Sequence, residues 1–435
     1  MNLWDDFDNQ HTAPESARHK LPRRLTDQAI LTSLRRWLLQ DYASSYCRSL
    51  AAMRIYRRCY WIDAWGIDPR ANYLPANSEA PQEKGRKGTD KSGSYEPVLQ
   101  PVLALSQELA QESRPIALNG IVLEAGSSRR RELRAIDSGN TDEPSPSVKD
   151  AALALPRESG AVRASWLEIA PTLLKEIEHS PAIFLLNPFG QTLFTHDDLA
   201  FLYSRTSAPS ELFLLVPHKQ AEMRLLAAAY KTQVASALTA LLRTDRWKAF
   251  LPQGTAAEKI GETPPYIDGI IDLLLSSMQQ HLPWVQPIAL PLGVRPARVE
   301  AAPYTLLFAT RSKDSLLRMN DAVCQYQRRL YEHSRRGVLG EEWFAVQQQQ
   351  QFASEISQLC QRLLQLGKTQ RTRRWPDLRQ QLLLANFGQF TLYEYDELIR
   401  KLLAQGDVRC EWRRGGPLAD DEKRVPGNED TLLWK

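Results

Sequence analysis

The residues with the clearest chemical content are Asn187-Pro188-Phe189-Gly190, which follow the apolar run Ala182-Ile183-Phe184-Leu185-Leu186. A short apolar run bounded by turn residues predicts a buried parallel strand. Its carboxyl end is where open α/β sheets place their ligand sites. There a side-chain amide can hold an exocyclic amine while an exposed aromatic ring stacks on the base. The same residues also read as a strand end with an Asx-Pro turn and a buried Phe.

A nucleotide-type α/β domain needs two further features. One is a glycine-bearing turn after the first strand, so that backbone approaches the ligand. The other is an acid ending the second strand, to accept from a ribose hydroxyl. Asp63-Ala64-Trp65-Gly66-Ile67-Asp68-Pro69 stands at the first position, with one glycine, and Glu124 at the second. Trp65 and Ile67 add bulk where a cofactor would lie. Gly93-Ser94 precedes a helical pattern and can cap it or present N–H groups to a ligand. His218 follows the next strand, on the same sheet edge as Asn187. No Ser-His-Asp order, H-E-x-x-H or P-loop occurs, so hydrolase, metalloenzyme and NTPase readings have no support.

The elements that must position these residues alternate between strand and helix. Apolar residues at helical spacing fill 25–53, and strands are expected at 59–66, 120–124, 182–186 and 212–216. Helices are expected at 98–111, 166–179 and through most of 221–285. Residues 289–299 and 304–310 read as two late strands forming an antiparallel edge pair. Alternation of this kind argues for a mostly parallel α/β sheet. Two polar inserts, 77–96 and 127–160, interrupt it and cannot bury a core. Helices return at 316–332 and 341–366. Helix, turn, helix and a two-stranded wing then follow at 378–385, 392–403, 408–413 and 431–434. That is winged-helix order. The expected domains are therefore a basic helical segment (1–57), an α/β domain (58–315), a helical connector (316–366) and a winged helix-turn-helix (367–435).

With 435 residues, the chain accommodates a large domain plus a smaller one. Its five cysteines form no C-x-x-C pair, and no apolar stretch is long enough for a membrane span. The acidic start Met1-Asn2-Leu3-Trp4-Asp5-Asp6 is unlike a signal peptide, so a cytoplasmic protein without bound metal is expected. Net charge is only +4, yet residues 17–58 hold ten Lys or Arg against Asp27 and Asp41. Arg23, Arg24, Arg35 and Arg36 lie in that cluster, and Arg371, Arg373 and Arg374 form another. Arg400 and Lys401 on the last helix, with Arg413 and Arg414 at the wing, complete a set suited to nucleic-acid phosphates. A solvated helix face is the alternative for the first cluster. The tail from Gly367 carries thirteen bases against eleven acids, which also suits a protein-docking module.

In their order, these segments resemble the three-Cys-motif partner proteins. The resemblance runs from the strand ending Ile62-Asp63-Ala64, through Gly93-Ser94 and Glu124, to Asn187-Pro188-Phe189-Gly190. It continues through Leu242–Trp247 to Tyr304–Thr310 with Met319-Asn320-Asp321-Ala322, and covers roughly residues 20–330. That family is similar to class I S-adenosylmethionine-dependent methyltransferases, which implies a Rossmann-like sheet and, for active members, amino-methyl transfer. The resemblance implies Asp63, Ala64, Gly66, Gly93, Ser94 and Glu124 as cofactor contacts, and Asn187, Pro188 and Phe189 as the catalytic turn. It also implies a separate protein partner. Where the family shows F-A-G-x-G, this chain has Ala64-Trp65-Gly66-Ile67-Asp68. A catalytically degenerate scaffold that binds nucleic acid or a partner protein is therefore the second reading.

Overall fold

The computed structural model describes residues 27–66, 96–123, 159–162, 164–190, 192–251, 265–290, 294–295, 298–299, 303–335, 341–369, 373–413 and 424–435. The chain divides into two compact units, residues 1–290 with 301–312, and residues 291–300 with 313–435.

The first unit is built on β1 (Arg58–Ala64), β2 (Ala117–Leu123), β3 (Gly160–Val162), β4 (Ala182–Leu186), β5 (Ser210–Pro217), β6 (Trp284–Ala289) and β9 (Tyr304–Thr310). These form a seven-stranded sheet of order β3-β2-β1-β4-β5-β9-β6. Neighbours from β3 through β5 are parallel, while β9 runs antiparallel to both β5 and β6. A mostly parallel, helix-flanked sheet of this kind is compatible with a Rossmann-like fold. Strand order reverses between β1 and β4, which makes their carboxyl ends the topological switch point.

One face is covered by α1 (Asp27–Trp37), a π-helical turn (Leu38–Ala43), α2 (Ser44–Met53) and α3 (Glu96–Gln111). Tyr42, from the π-helical turn, meets Phe213 and Phe308 edge-on at 5.4 and 5.5 Å. Gly120 in β2 lets α3 approach closely, since a Cβ there would meet Leu99 and Val102 at 3.0 Å. The other face packs α4 (Trp166–Glu176), α5 (His196–Ser204), α6 (His218–Tyr230), α7 (Thr232–Leu242) and α8 (Pro265–Gln279) against Ile62, Phe184, Leu212 and Leu214. Capping boxes start two of these helices, Ser165 with Glu168 for α4 and Thr195 with Asp198 for α5. Each large side chain buried on these faces contributes roughly 1.5–3 kcal/mol relative to exposure.

The expected late strands need correction. The first runs from Trp284 to Ala289 rather than over 289–299, and only it is an edge strand. Pro287 lies in it, tolerated because an edge strand leaves one row of N–H groups unpaired. Tyr304–Thr310 is flanked on both sides and is buried at every position. Its continuous apolar character comes from that central place. Val294–Arg295 (β7) and Arg298–Val299 (β8) make a separate hairpin in the second unit.

The second unit also contains α9 (Lys313–Arg335), α10 (Glu341–Thr369), α11 (Trp375–Ala385), α12 (Leu392–Gln405) and the antiparallel pair β10 (Val408–Glu411) and β11 (Thr431–Trp434). Asn320 of α9 is fully buried and clamps the α11–α12 turn. Its amide donates to Phe390 O at 2.8 Å and accepts from Gly388 N at 2.9 Å. Gly388 holds φ +77° against α9, where a Cβ would overlap Val323. The Met319–Ala322 segment noted in the sequence thus has a packing task. Arg328–Glu394 and Arg379–Asp396 ion pairs fix α12 further. The described pieces of the two expected inserts are residue 96, which opens α3, and residues 159–160, which lead into β3.

Candidate functional site

The switch point brings together the carboxyl ends of β1 and β4, because Asp63 pairs with Leu185 and Ala64 with Leu186. β1 alternates its side chains, so Cys59, Trp61 and Asp63 share one face and Tyr60, Ile62 and Ala64 the other. Asp63 therefore points to the layer holding α1. It is 1% exposed, and Arg35 of α1, itself 5% exposed, grips it with two bonds. Arg35 Nε donates to Oδ2 at 2.5 Å and Nη2 to Oδ1 at 3.0 Å. The Trp65 N–H donates to Oδ1 at 3.2 Å as well, so both oxygens are engaged. The Trp65 ring is buried, with the Arg35 guanidinium 5.5 Å from its centre. Gly66 closes the turn at φ +90°, a value that requires glycine, and its carbonyl faces Arg35 Nη2 at 3.4 Å.

Asn187 is 8% exposed, immediately beyond β4. Its Oδ1 accepts from Phe189 N at 3.0 Å, forming an Asx turn, and its Nδ2 donates to Gln220 of α6 at 3.1 Å. The Pro188 carbonyl accepts from Phe194 N at 3.0 Å, and Arg224 of α6 donates to the Gly190 carbonyl. Phe189 is 1% exposed and belongs to the core that contains Phe184 and Phe194. Of the exposed and the buried ring that the sequence allows, the buried one is found, because the Asx turn folds the chain back over the strand end. His218 opens α6 and meets Thr305 Oγ1 at 2.9 Å. Burial holds its imidazole down at about 4, so the ring is neutral at physiological pH.

Of the other residues singled out in the sequence, Gly93, Ser94, Glu124, Arg23, Arg24, Arg371 and Arg414 lie outside the described residues. Arg35 departs from its expected surface role, since its guanidinium is committed to a buried ion pair. Arg36 is half-buried. In the second unit Arg373, Arg374, Lys401 and Arg413 are exposed. Arg400 is tied to Glu397 at 2.5 Å and lies over the Tyr393 ring. Helix α12 carries Glu394, Asp396 and Glu397 against Arg400 and Lys401.

Sequence reading missed Gln220 and Arg224, whose only signal is their place in the first turns after β5. It also missed the Arg35–Asp63 pair, which joins residues 28 positions apart. Among the described residues, no group of three or more His, Cys, Asp or Glu is arranged to hold a metal ion. No helix among them is long and apolar enough to cross a membrane. No protein-family model matches the chain, and no curated protein matches it.

Proposed function

We propose that this chain is a methyltransferase-like scaffold of the three-Cys-motif partner type, catalytically degenerate, that binds nucleic acid. The observation that carries the reading is the buried Arg35–Asp63 pair beneath Trp65 at the end of β1. A donor-binding turn must offer its acid and backbone to the cofactor. Here both Asp63 oxygens serve the fold, and the Trp65 indole is buried beside Arg35. These residues do not fit S-adenosylmethionine. The Asn187 turn supports the same reading, since its amide and the Pro188 carbonyl already have protein partners and Phe189 is not available to stack on a base.

The nucleic-acid role rests on Arg373, Arg374, Lys401 and Arg413, exposed around a helix–turn–helix with a two-stranded hairpin. A winged-helix assignment for this region is part of the proposal. A second reading, a docking module for a protein partner, is favoured by the three acids on α12. Two measurements on the full chain test the proposal. Tritiated methyl donor incubated with DNA and RNA gives no incorporation, and incorporation refutes the degenerate assignment. Duplex binding measured between about 50 and 200 mM salt gives a log–log slope near −3 to −4 if four phosphates are neutralised. Absence of binding at the lower salt overturns the nucleic-acid role.

A further inference from the structure

Away from the switch point, the amino end of β5 and the carboxyl end of β9 border a cavity of about 350 Å³. That volume lies in the range of small-molecule sites. Two guanidinium groups stand in its wall, Arg205 and Arg311. Arg205 is 7% exposed. Its Nη2 donates to Ile177 O at 2.7 Å, to Glu178 O at 3.4 Å and to Ser180 O, and its Nη1 donates to Ser210 Oγ. Among the described residues no carboxylate oxygen lies within 4 Å of it. Carbonyl and hydroxyl dipoles therefore hold this buried cation, with the charge of Glu178 also acting on it.

Arg311 is exposed and donates to Tyr203 O. The loop Thr206-Ser207-Ala208 also lines the cavity, and its three N–H groups have no acceptor among the described residues. Backbone N–H groups beside cations are the donors from which anion sites are built. Ser207 and Ser312 line the same wall, and the Ser207 hydroxyl donates to Glu178 O at 2.5 Å. Glu211 borders it too, but its side chain is fully buried and its charge acts on Tyr46 and Cys59, on the α2 side of the sheet. A ligand's anionic group therefore belongs at Arg311 and the loop.

The geometry points to a second ligand site here, one that takes a phosphate monoester of mononucleotide size. Arg311, the buried Arg205 Nε that has no hydrogen-bond partner among the described residues, and the three loop N–H groups offer more donors than the two oxygens of a carboxylate can accept, and they suit the three terminal oxygens of a phosphate. The inference is independent of the switch-point reading.

Calorimetric titration of the full chain with adenosine 5′-monophosphate, inorganic phosphate and adenosine tests it. The nucleotide gives saturable heat, phosphate binds more weakly, and adenosine gives none. Arg311→Ala lowers nucleotide affinity about tenfold or more, the loss of one charge-assisted hydrogen bond. Ser207→Asp, at an exposed position, has an equal or larger effect through repulsion and guards against misfolding of the first variant. No heat with either phosphate compound overturns the assignment. So does equal binding of adenosine, or unchanged nucleotide affinity in a folded Ser207→Asp protein.

Discussion

Asp63 is 1% exposed, and removing the Arg35 side chain leaves its carboxylate with the Trp65 N–H as its one remaining donor among the bonds described above. Breaking a buried pair by deleting one partner costs about 3–5 kcal/mol, because a charge is left in a poorly solvated site. For a unit of this size each kcal/mol lowers the melting temperature by roughly 2 °C, so Arg35→Ala should melt about 6–10 °C lower. Arg57→Ala is the control. Its side chain is exposed, and surface substitutions of this kind stay within about 0.5 kcal/mol. The double variant Arg35→Met/Asp63→Leu separates pairing from packing, since apolar replacement of both partners is often close to neutral. The assay is urea unfolding followed by far-ultraviolet circular dichroism, with the two units fitted as separate transitions. An Arg35→Ala penalty no larger than that of Arg57→Ala refutes the reasoning. A double variant as unstable as the summed singles refutes it equally, because it would mean that the sites do not couple.

Further outcomes concern the rest of the molecule. His218 has a folded value near 4 against an ordinary value of about 6.5. The fold therefore favours its neutral ring, and this contribution is intact above about pH 6.5 and lost as pH falls toward 4. Solvent reaches part of the ring, so the loss is about 1–2 kcal/mol rather than the full shift, and His218→Gln flattens the change in urea midpoint between pH 7.5 and 5. Gly367→Ala places a Cβ into the Trp434 ring, and overpacking of this kind costs about 1–3 kcal/mol. Tryptophan fluorescence during unfolding reads it, and an unchanged midpoint shows the contact to be dispensable. Asn320→Ala strips the Phe390 carbonyl and the Gly388 N–H of their buried partner, at about 2–4 kcal/mol in total. Hydrogen exchange at residues 386–392 should accelerate, and unchanged protection there contradicts the clamp.

The order of β1, β2, β4 and β5 was legible because each is a continuous apolar run or ends in a turn residue, as at Leu186-Asn187-Pro188 and Ala64-Trp65-Gly66, whereas the three-residue β3 after the second insert was not. Helix starts were legible where a capping pair stands in the chain, as at Thr391 and Glu394. The late strands were not, because Pro287 breaks the apolar pattern of β6 and the sequence does not reveal that β9 is central. The candidate residues fall at strand ends, as the sequence has them, yet their partners were hidden by direction and distance. Arg35 reads as one base in a cluster, and only the crossing of α1 over β1 makes it Asp63's partner. Phe189 reads both as an exposed and as a buried ring. The hydrogen bond from its own N–H to Asn187 turns the chain so that the ring enters the core.

The turn after β1 is committed to the protein's own contacts, through the Arg35–Asp63 pair and the buried Trp65. Titrating the purified full chain with S-adenosylmethionine in a calorimeter at 25 °C tests it most directly, alongside the Trp65→Gly variant. The account predicts no saturable heat for the unsubstituted protein up to millimolar donor. Stoichiometric binding by that protein, in the micromolar range or tighter, contradicts it.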